Sequence, residues 1–401
     1  MMFDVAIIGA GPVGMVSALA LVRRGVRVAL FEMYTDVPHE NRAATIHSST
    51  LSLLDTLGLT RQVMDEGLRA DLFQWRDFAT GEIVAEYDFG LLGDECPWPF
   101  AVQLEQHKLV HMIEARLASE PLFTYYRATQ VTGIASHADR VSLDAFGPAG
   151  EVTCEARYLI GCDGARSTVR KFMNVEYEGY TYNEKFSVVS IRHDFAASMN
   201  FRIRNYLSAA DCWFGIFKVP GDDGAGIWRT TYPLLEDLSS VREDAEREVR
   251  RMYAKYLPAA LDAPITQLNT YNVHQRVAAR FRCGRVLLAG DAAHVNNPLG
   301  GLGLNSGIHD ALNLADKLVQ MLGGADDALL DLYDRQRREP AKQYVQAQSI
   351  QNKRIIEERS ASARADNMRA MRETVADTAA HRAYVRRASL WQMLDDSLRI
   401  A

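Results

Sequence analysis

Three closely spaced glycines leave the start of this chain few ways to fold. Gly9-Ala10-Gly11-Pro12-Val13-Gly14 follows an apolar run at residues 3–8 and precedes residues 15–24, where apolar positions recur at helical spacing. A second apolar run, residues 26–31, ends at Glu32. In a strand–turn–helix–strand unit of this kind, Gly9 makes the tight turn and Gly11 lets the backbone approach a pyrophosphate. Gly14 permits close helix–strand packing, Pro12 belongs to the same turn, and the carboxylate of Glu32 can bind ribose hydroxyls. A lone glycine fingerprint says little. With the strand, the helix and the terminal acid all in place, it specifies a dinucleotide site.

Two further segments have the same grammar. Residues 286–289 are an apolar run, followed by Gly290-Asp291 and the loop containing Pro298, Gly300, Gly301 and Gly303; helical periodicity starts again near residue 306. Asp291 can accept from a sugar or ribityl hydroxyl, the glycines allow a flat ligand close to the main chain, and the helix start offers partial positive charge. Between these motifs, residues 158–161 run as a strand into Asp163-Gly164, with Arg166 and Arg170 just beyond.

Composition narrows the class. The 401 residues are 48% hydrophobic and 24% charged, enough apolar chain for more than one domain. A formal net charge of -6, without a block of like charges, gives no nucleic-acid footprint. Cys96, Cys154, Cys162, Cys212 and Cys283 have neither paired nor metal-type spacing, which fits core thiols in a reducing compartment, and no metal site is expected. No targeting segment or membrane-length apolar run is evident. The expectation is a soluble cytoplasmic protein.

Residues 75–78 and 83–87 read as a small hairpin around Thr80-Gly81, residues 109–117 as an amphipathic helix, and residues 124–141 and 152–160 as strands. From 186 to 232 the pattern changes to short strands, and residues beyond 329 are almost wholly helical in character. The expected division is a nucleotide-binding domain in three segments, 1–72, 98–180 and 265–340. A hairpin at 73–97 joins an inserted substrate-binding sheet at 181–264, and a helical region occupies 341–401.

In their joint order the three motifs make the chain resemble the single-component FAD-dependent aromatic hydroxylases, the family typified by para-hydroxybenzoate hydroxylase. The resemblance covers roughly residues 3–340. It implies an α/β fold: a Rossmann-like FAD-binding domain, an inserted β-sheet substrate domain and a helical C-terminal region. It assigns Gly9, Gly11, Gly14 and Glu32 to the ADP half of FAD, with Arg42 and Gln103 as further contacts. Asp163 would approach the pyrophosphate and bear on NADH or NADPH use. Asp291 would hold the ribityl or pyrophosphate region, and Gly303 and the backbone of Leu304 and Asn305 would meet the flavin. The implied reaction consumes NAD(P)H and molecular oxygen and hydroxylates a small phenolic or N-heteroaromatic, optionally carboxylated, compound through a C4a-hydroperoxyflavin. The backbone at Pro298, Gly300 and Gly301 would neighbour that species. Asn297 and Gly301 depart from the family, which commonly has a proline or other residue at the first position and a larger residue at the second.

On the inserted sheet, Arg204, Tyr206, Trp213 and Tyr232 are the candidate substrate contacts, with Arg192, Arg202 and Arg229 alternating nearby. An inward arginine would suit a carboxylate. The same alternation also describes a solvated sheet face. His294 is expected to pack beneath its loop. Two other activities are open on the same scaffold, a quinone-biosynthesis hydroxylase and a flavin reductase. A non-enzymatic lipid-binding escort or regulator is the reading from another class. Expected partners are the aromatic substrate, oxygen and NAD(P)H, with no nucleic acid and no membrane; a homodimer is left open.

Overall fold

A computed structural model of the chain describes residues 2–39, 43–234 and 242–401. Strands Val286–Leu288, Gly150–Gly161, Phe3–Ile8 and Val28–Phe31 lie side by side in that order and run parallel, with Phe123–Tyr126 continuing the parallel edge. Val28–Phe31 is buried throughout. Such unbroken apolar runs belong to parallel sheets covered on both faces. Helix Pro12–Val22 buries every residue except Val13 and packs on Leu302–Leu322 and Gln106–Leu117. A helix apolar all round can only be an interior one. Val141–Gly147 pairs antiparallel with Gly150–Gly161, and Gln130–Ser136 pairs antiparallel with Val141–Gly147 in turn. The expected strand at 124–141 is therefore three elements, broken at Ala128 and at the turn near residue 139, and the strand Val141–Gly147 had not been foreseen.

The second sheet has eight strands, in the order His294–Val295, Ile265–Ala278, Tyr177–Ile191, Ile227–Leu234, Trp213–Val219, Arg204–Ser208, Leu72–Asp77 and Ile83–Asp88. Tyr177–Ile191 and Ile265–Ala278 are antiparallel partners along almost their whole lengths. Residues 265–278, expected with the third nucleotide-binding segment, thus stand in the second sheet. Alternate burial at Val273, Gln275 and Val277 is the period-two signature of a strand with two different faces. The hairpin Leu72–Asp77/Ile83–Asp88 joins through parallel pairing with Arg204–Ser208.

The two faces of this sheet carry separate cores. One gathers Phe73, Phe186, Tyr206, Trp213 and Leu299 with Ile356, Met371 and Val385 from the C-terminal helices. The other gathers Phe195, Phe214, Trp228 and Tyr232 with Tyr253 of helix Arg242–Tyr256. Beyond Ala328–Pro340 the chain passes through a π-helical stretch, Ala341–Gln346, into Ala347–Ile356. Helices Ala361–Ala376 and Thr378–Ala388 then return over the hairpin, where Arg364 pairs with Asp77 and Arg382 with Asp94 and Glu95. All five cysteines are free; Cys283 is exposed, contrary to a uniform set of core thiols. Among the described residues, no helix is long and apolar enough to cross a membrane.

Candidate functional site

Because four neighbouring strands run parallel, their carboxyl ends meet at one edge, where open α/β sheets bind ligands. Gly9–Gly14 follows Phe3–Ile8, Glu32 ends Val28–Phe31, Asp163 follows Gly150–Gly161 and Asp291 follows Val286–Leu288. The glycines differ in what they tolerate. A Cβ on Gly9, at φ +101°, would overlap the Cys162 carbonyl, and one on Gly14 would overlap the Gly9 carbonyl. A Cβ on Gly11 would meet nothing within 4 Å. Gly9 and Gly14 are therefore fixed by the protein's own packing, whereas Gly11 borders free space of the kind a pyrophosphate needs. Glu32 braces the turn, accepting from the amides of Ala10 at 2.8 Å and Tyr34 at 3.0 Å. The residues present fit a dinucleotide.

Asp163 is occupied by its own loop. It accepts from the Ser167 hydroxyl at 2.5 Å and from the amides of Thr168 at 2.6 Å and Val169 at 3.1 Å, capping helix Thr168–Phe172. Burial raises its carboxyl above the usual range despite these donors. Arg170 is committed to the protein's own backbone. Its guanidinium is buried, donates to the carbonyls of Ala165 at 2.6 Å and Ala292 at 2.8 Å, and lies 3.7 Å over the Tyr177 ring. Arg170 thus ties the second motif to the third. Arg166 remains exposed.

The third motif rests on a buried charge cluster. Asp310 accepts from Gly290 N–H at 3.0 Å, His294 Nε2 at 2.8 Å and Arg337 Nε at 2.7 Å. Burial acts to raise the Asp310 carboxyl, but His294 and Arg337 hold it below the ordinary value. His294, fully buried, packs under the loop. Asp291 itself stays exposed, and its carbonyl accepts from the Tyr177 hydroxyl at 2.8 Å.

Residues 296–305 are held from several sides. Gly300 at φ +106° and Gly301 at φ +68° turn the chain into helix Leu302–Leu322. Thr45 sits 3.1 Å from where a Gly301 Cβ would stand, so both conformation and space explain glycine there. The other departure, Asn297, is fully buried, with its side-chain and backbone N–H groups both bonded to Gln275 Oε1 at 3.1 Å. Asn305 accepts from His47 N–H at 2.8 Å and donates to the Thr45 and Gly301 carbonyls. Gln103 bonds Thr45, which places it behind the same turn. The first-turn amides at Leu302, Gly303 and Leu304 have no intrahelical partner, as at any helix start, and carry the positive end of the dipole.

Opposite Gly300 stands the inner face of the second sheet. Tyr206 Oη accepts from Gly300 N–H at 2.7 Å, and His47 Nε2 lies 2.8 Å from the Gly300 carbonyl. A carbonyl only accepts, so Nε2 carries the proton and Nδ1 is a bare acceptor, buried with no hydrogen-bond partner among the described residues. Burial, with Arg204 nearby, lowers the His47 pKa to about 3. Arg204 is 4% exposed, and its Nε and Nη1 are buried without hydrogen-bond partners among the described residues. The guanidinium lies 5.5 and 5.4 Å from the rings of Phe73 and Phe89, and burial lowers its pKa to about 10. Tyr384, from helix Thr378–Ala388, stacks on Tyr87 at 4.0 Å and feels the charge of Arg204.

Trp213 shares this face but is tied to Glu357 through Nε1 at 3.0 Å. Tyr232 does not share it. Tyr232 pairs with Ser187 in the ladder, and its ring packs 5.2 Å from that of Phe214 in the opposite core, so it leaves the candidate substrate set. Arg192 pairs with Asp223 and Arg202 with Glu86 at the surface, while Arg229 is buried. Arg42 lies outside the described residues. His47 and Tyr384 carried no signal in the sequence, each being a single residue far in the chain from the motifs.

The FAD binding domain family matches residues 2–348. Para-nitrophenol 4-monooxygenase of Pseudomonas sp. (strain WBC-3) is 32% identical over 338 residues, spanning 83% of this chain and 82% of the relative. The 6-hydroxy-3-succinoylpyridine 3-monooxygenase HspB of Pseudomonas putida is 30% identical over 354 residues, 88% of each chain. The crystal structure of p-nitrophenol 4-monooxygenase PnpA from Pseudomonas putida DLL-E4 superposes with a TM-score of 0.92 at 30% identity over 98% of both chains. The OxyS anhydrotetracycline hydroxylase from Streptomyces rimosus gives 0.80 at 27% identity, over 97% of this chain and 76% of that one.

Proposed function

This chain belongs to the FAD binding domain family, among its single-component aromatic hydroxylases, and from that premise we propose that it hydroxylates a small phenol or hydroxypyridine whose anionic oxygen docks on Arg204. Membership makes it an FAD- and NAD(P)H-dependent monooxygenase of aromatic compounds; the substrate and the roles of individual residues are the proposal. The observation that carries it is the Arg204 guanidinium, buried between two aromatic rings with unpartnered N–H groups. Leaving a charged donor buried and unsatisfied costs about 1–3 kcal/mol or more, a cost that a phenolate, nitro or carboxylate oxygen removes. The two relatives are named for a nitrophenol and a hydroxypyridine bearing a succinoyl group, each with such an oxygen.

Bound FAD would supply the electron-transfer and oxygen chemistry, with Gly9, Gly11, Pro12, Gly14 and Glu32 on its ADP half. Gln103, Asp163, Asp291 and the helix start at Gly303–Asn305 would hold the remainder. The protein's own part is placement. Tyr206 and His47 grip both polar groups of Gly300, fixing the loop at Pro298, Gly300 and Gly301, which would adjoin the bound flavin. Arg204 holds the substrate oxygen as an anion, which makes the ring electron-rich. His47 Nδ1, an acceptor with no hydrogen-bond partner among the described residues, can accept from a bound hydroxyl without taking its proton, since burial and Arg204 keep the imidazole a weak base. Phe73, Phe89 and Tyr384 keep water away. The aromatic, polar lining does not favour a long isoprenoid quinone precursor.

The test is turnover of the FAD-loaded protein on phenols and hydroxypyridines with and without a para or ortho acceptor group. NAD(P)H consumption and a product one oxygen heavier, restricted to rings bearing an anionic oxygen, are expected. NAD(P)H consumption that ignores the ring and yields no oxygenated product would return the chain to the flavin-reductase reading.

A further inference from the structure

Away from the glycine loop, three chain segments bring metal-ligating side chains together. His39 follows the Glu32 turn, His107 lies in helix Gln106–Leu117, and Asp222 belongs to the loop between strands Trp213–Val219 and Ile227–Leu234. Their ligand atoms all lie within 4.8 Å of one another. The imidazoles of His39 and His107 stack with centroids 4.3 Å apart, and His107 Nε2 stands 3.9 Å from an Asp222 oxygen. None of the three side chains makes a hydrogen bond to another described residue, although His107 is only 8% exposed. We propose that His39, His107 and Asp222 form a site for a zinc-class divalent cation, clasping the inserted sheet's loop to the nucleotide-binding sheet.

The donor set suits that ion. Two imidazoles and a carboxylate, with one position open to water, are borderline ligands for zinc and its neighbours. Zinc–ligand bonds of about 2.0–2.2 Å place ligand atoms roughly 3.4 Å apart. Exposed His39 and Asp222 can close the difference by rotation, while His107 is the buried fixed point. His111, one helical turn on, has its ring 6.1 Å from His39 and 6.3 Å from His107 and can supply a fourth ligand.

The surroundings keep the loop in place without the ion. Glu105 accepts from Gly221 N–H at 2.7 Å, and Lys108 donates to the Gly221 carbonyl at 2.6 Å. Lys108 and Arg229 are the facing cations and Glu105 the further anion, while Arg127 is paired with Glu114. Two cations, Lys108 and Arg229, thus face two carboxylates, Glu105 and Asp222 itself. The site's ligands come from positions 39, 107 and 222, a spacing with no metal signature in the sequence.

The test is calorimetric titration of the chelator-treated, FAD-loaded protein with zinc chloride. One zinc per chain is expected, with His39→Gln and Asp222→Asn each weakening it at least about tenfold and exposed His137→Gln leaving it unchanged. His107→Gln should abolish binding; should that buried change prevent folding, the two surface variants decide. Absence of binding, or equal affinity in wild type, H39Q and D222N, would overturn the proposal.

Discussion

Tyr206 and Gly300 are 94 residues apart in sequence, yet the tyrosine's phenolic oxygen accepts the glycine's N–H at 2.7 Å. One bond joins the inner face of the inserted sheet to the loop that enters helix Leu302–Leu322. Because Gly300 also offers its carbonyl to His47, the peptide groups on either side of its Cα are each held by a side chain. The sheet that carries Arg204 therefore controls the position of that loop.

Replacing Tyr206 by Phe would leave the Gly300 N–H buried and unmet, at a cost of about 1–3 kcal/mol. The expected result is a lower melting temperature, full flavin content, and more hydrogen peroxide formed per NAD(P)H oxidised. Unchanged coupling and stability in Y206F would mean that the bond positions nothing.

Arg204→Met separates function from stability. Removing a buried cation without hydrogen-bond partners should leave thermal stability unchanged or raise it, because the desolvation cost disappears with the charge. The KM for a ring bearing an anionic oxygen should rise about 10–100-fold, the worth of a charged hydrogen bond. A variant that loses stability and keeps its KM would place Arg204 in a purely structural role.

The first motif makes a paired prediction. Gly11→Val should fold, because a Cβ there meets no protein atom within 4 Å, yet purify with little flavin. Gly14→Val should fail to fold, its side chain being driven into the Gly9 carbonyl. Flavin absorbance and a thermal melt distinguish the outcomes, and a G11V protein with full flavin would remove the dinucleotide from this turn.

Stability should fall steeply on acidification well before carboxylates titrate. Buried His47 and His309 each have a pKa of about 3 in the folded chain, lowered chiefly by burial. Unfolded, they take up a proton near pH 6.5, so between about pH 6.5 and 3 the unfolded state binds more protons and stability drops as pH falls. Each contributes up to roughly 2 kcal/mol of loss between pH 6.5 and 5. Asp310, held below the usual carboxylate range, adds its loss only at lower pH, as it protonates through its folded value. Urea midpoints across pH 5–7.5 check this, and His309→Gln should flatten the slope.

The parts legible in the sequence are those whose physics is local. Gly9, Gly11, Gly14 and Glu32 form one contiguous unit whose spacing states its own geometry, and Gly290-Asp291 repeats the logic. Alternation on the inserted sheet said that Arg204 and Tyr206 share a face, but it could not say which face meets the glycine loop. Tyr232 lies on the other face for that reason: its orientation follows from its ladder with Ser187 in Tyr177–Ile191, a long-range register that no local pattern encodes. The start of the third nucleotide-binding segment at residue 265 includes the strand Ile265–Ala278 of the second sheet, because its partner, Tyr177–Ile191, lies far upstream. His47 and Tyr384 reach the site only through tertiary packing, the latter from helices that the sequence marked as helical and nothing more.

The most direct test of the central claim is turnover under isotopically labelled dioxygen, comparing wild type with Arg204→Met on para-nitrophenol and on toluene. The account predicts one labelled oxygen in the nitrophenol product of the wild type, a kcat/KM at least about tenfold lower in R204M, and no product from toluene with either. Unlabelled product, or equal nitrophenol turnover by the two proteins, would contradict it.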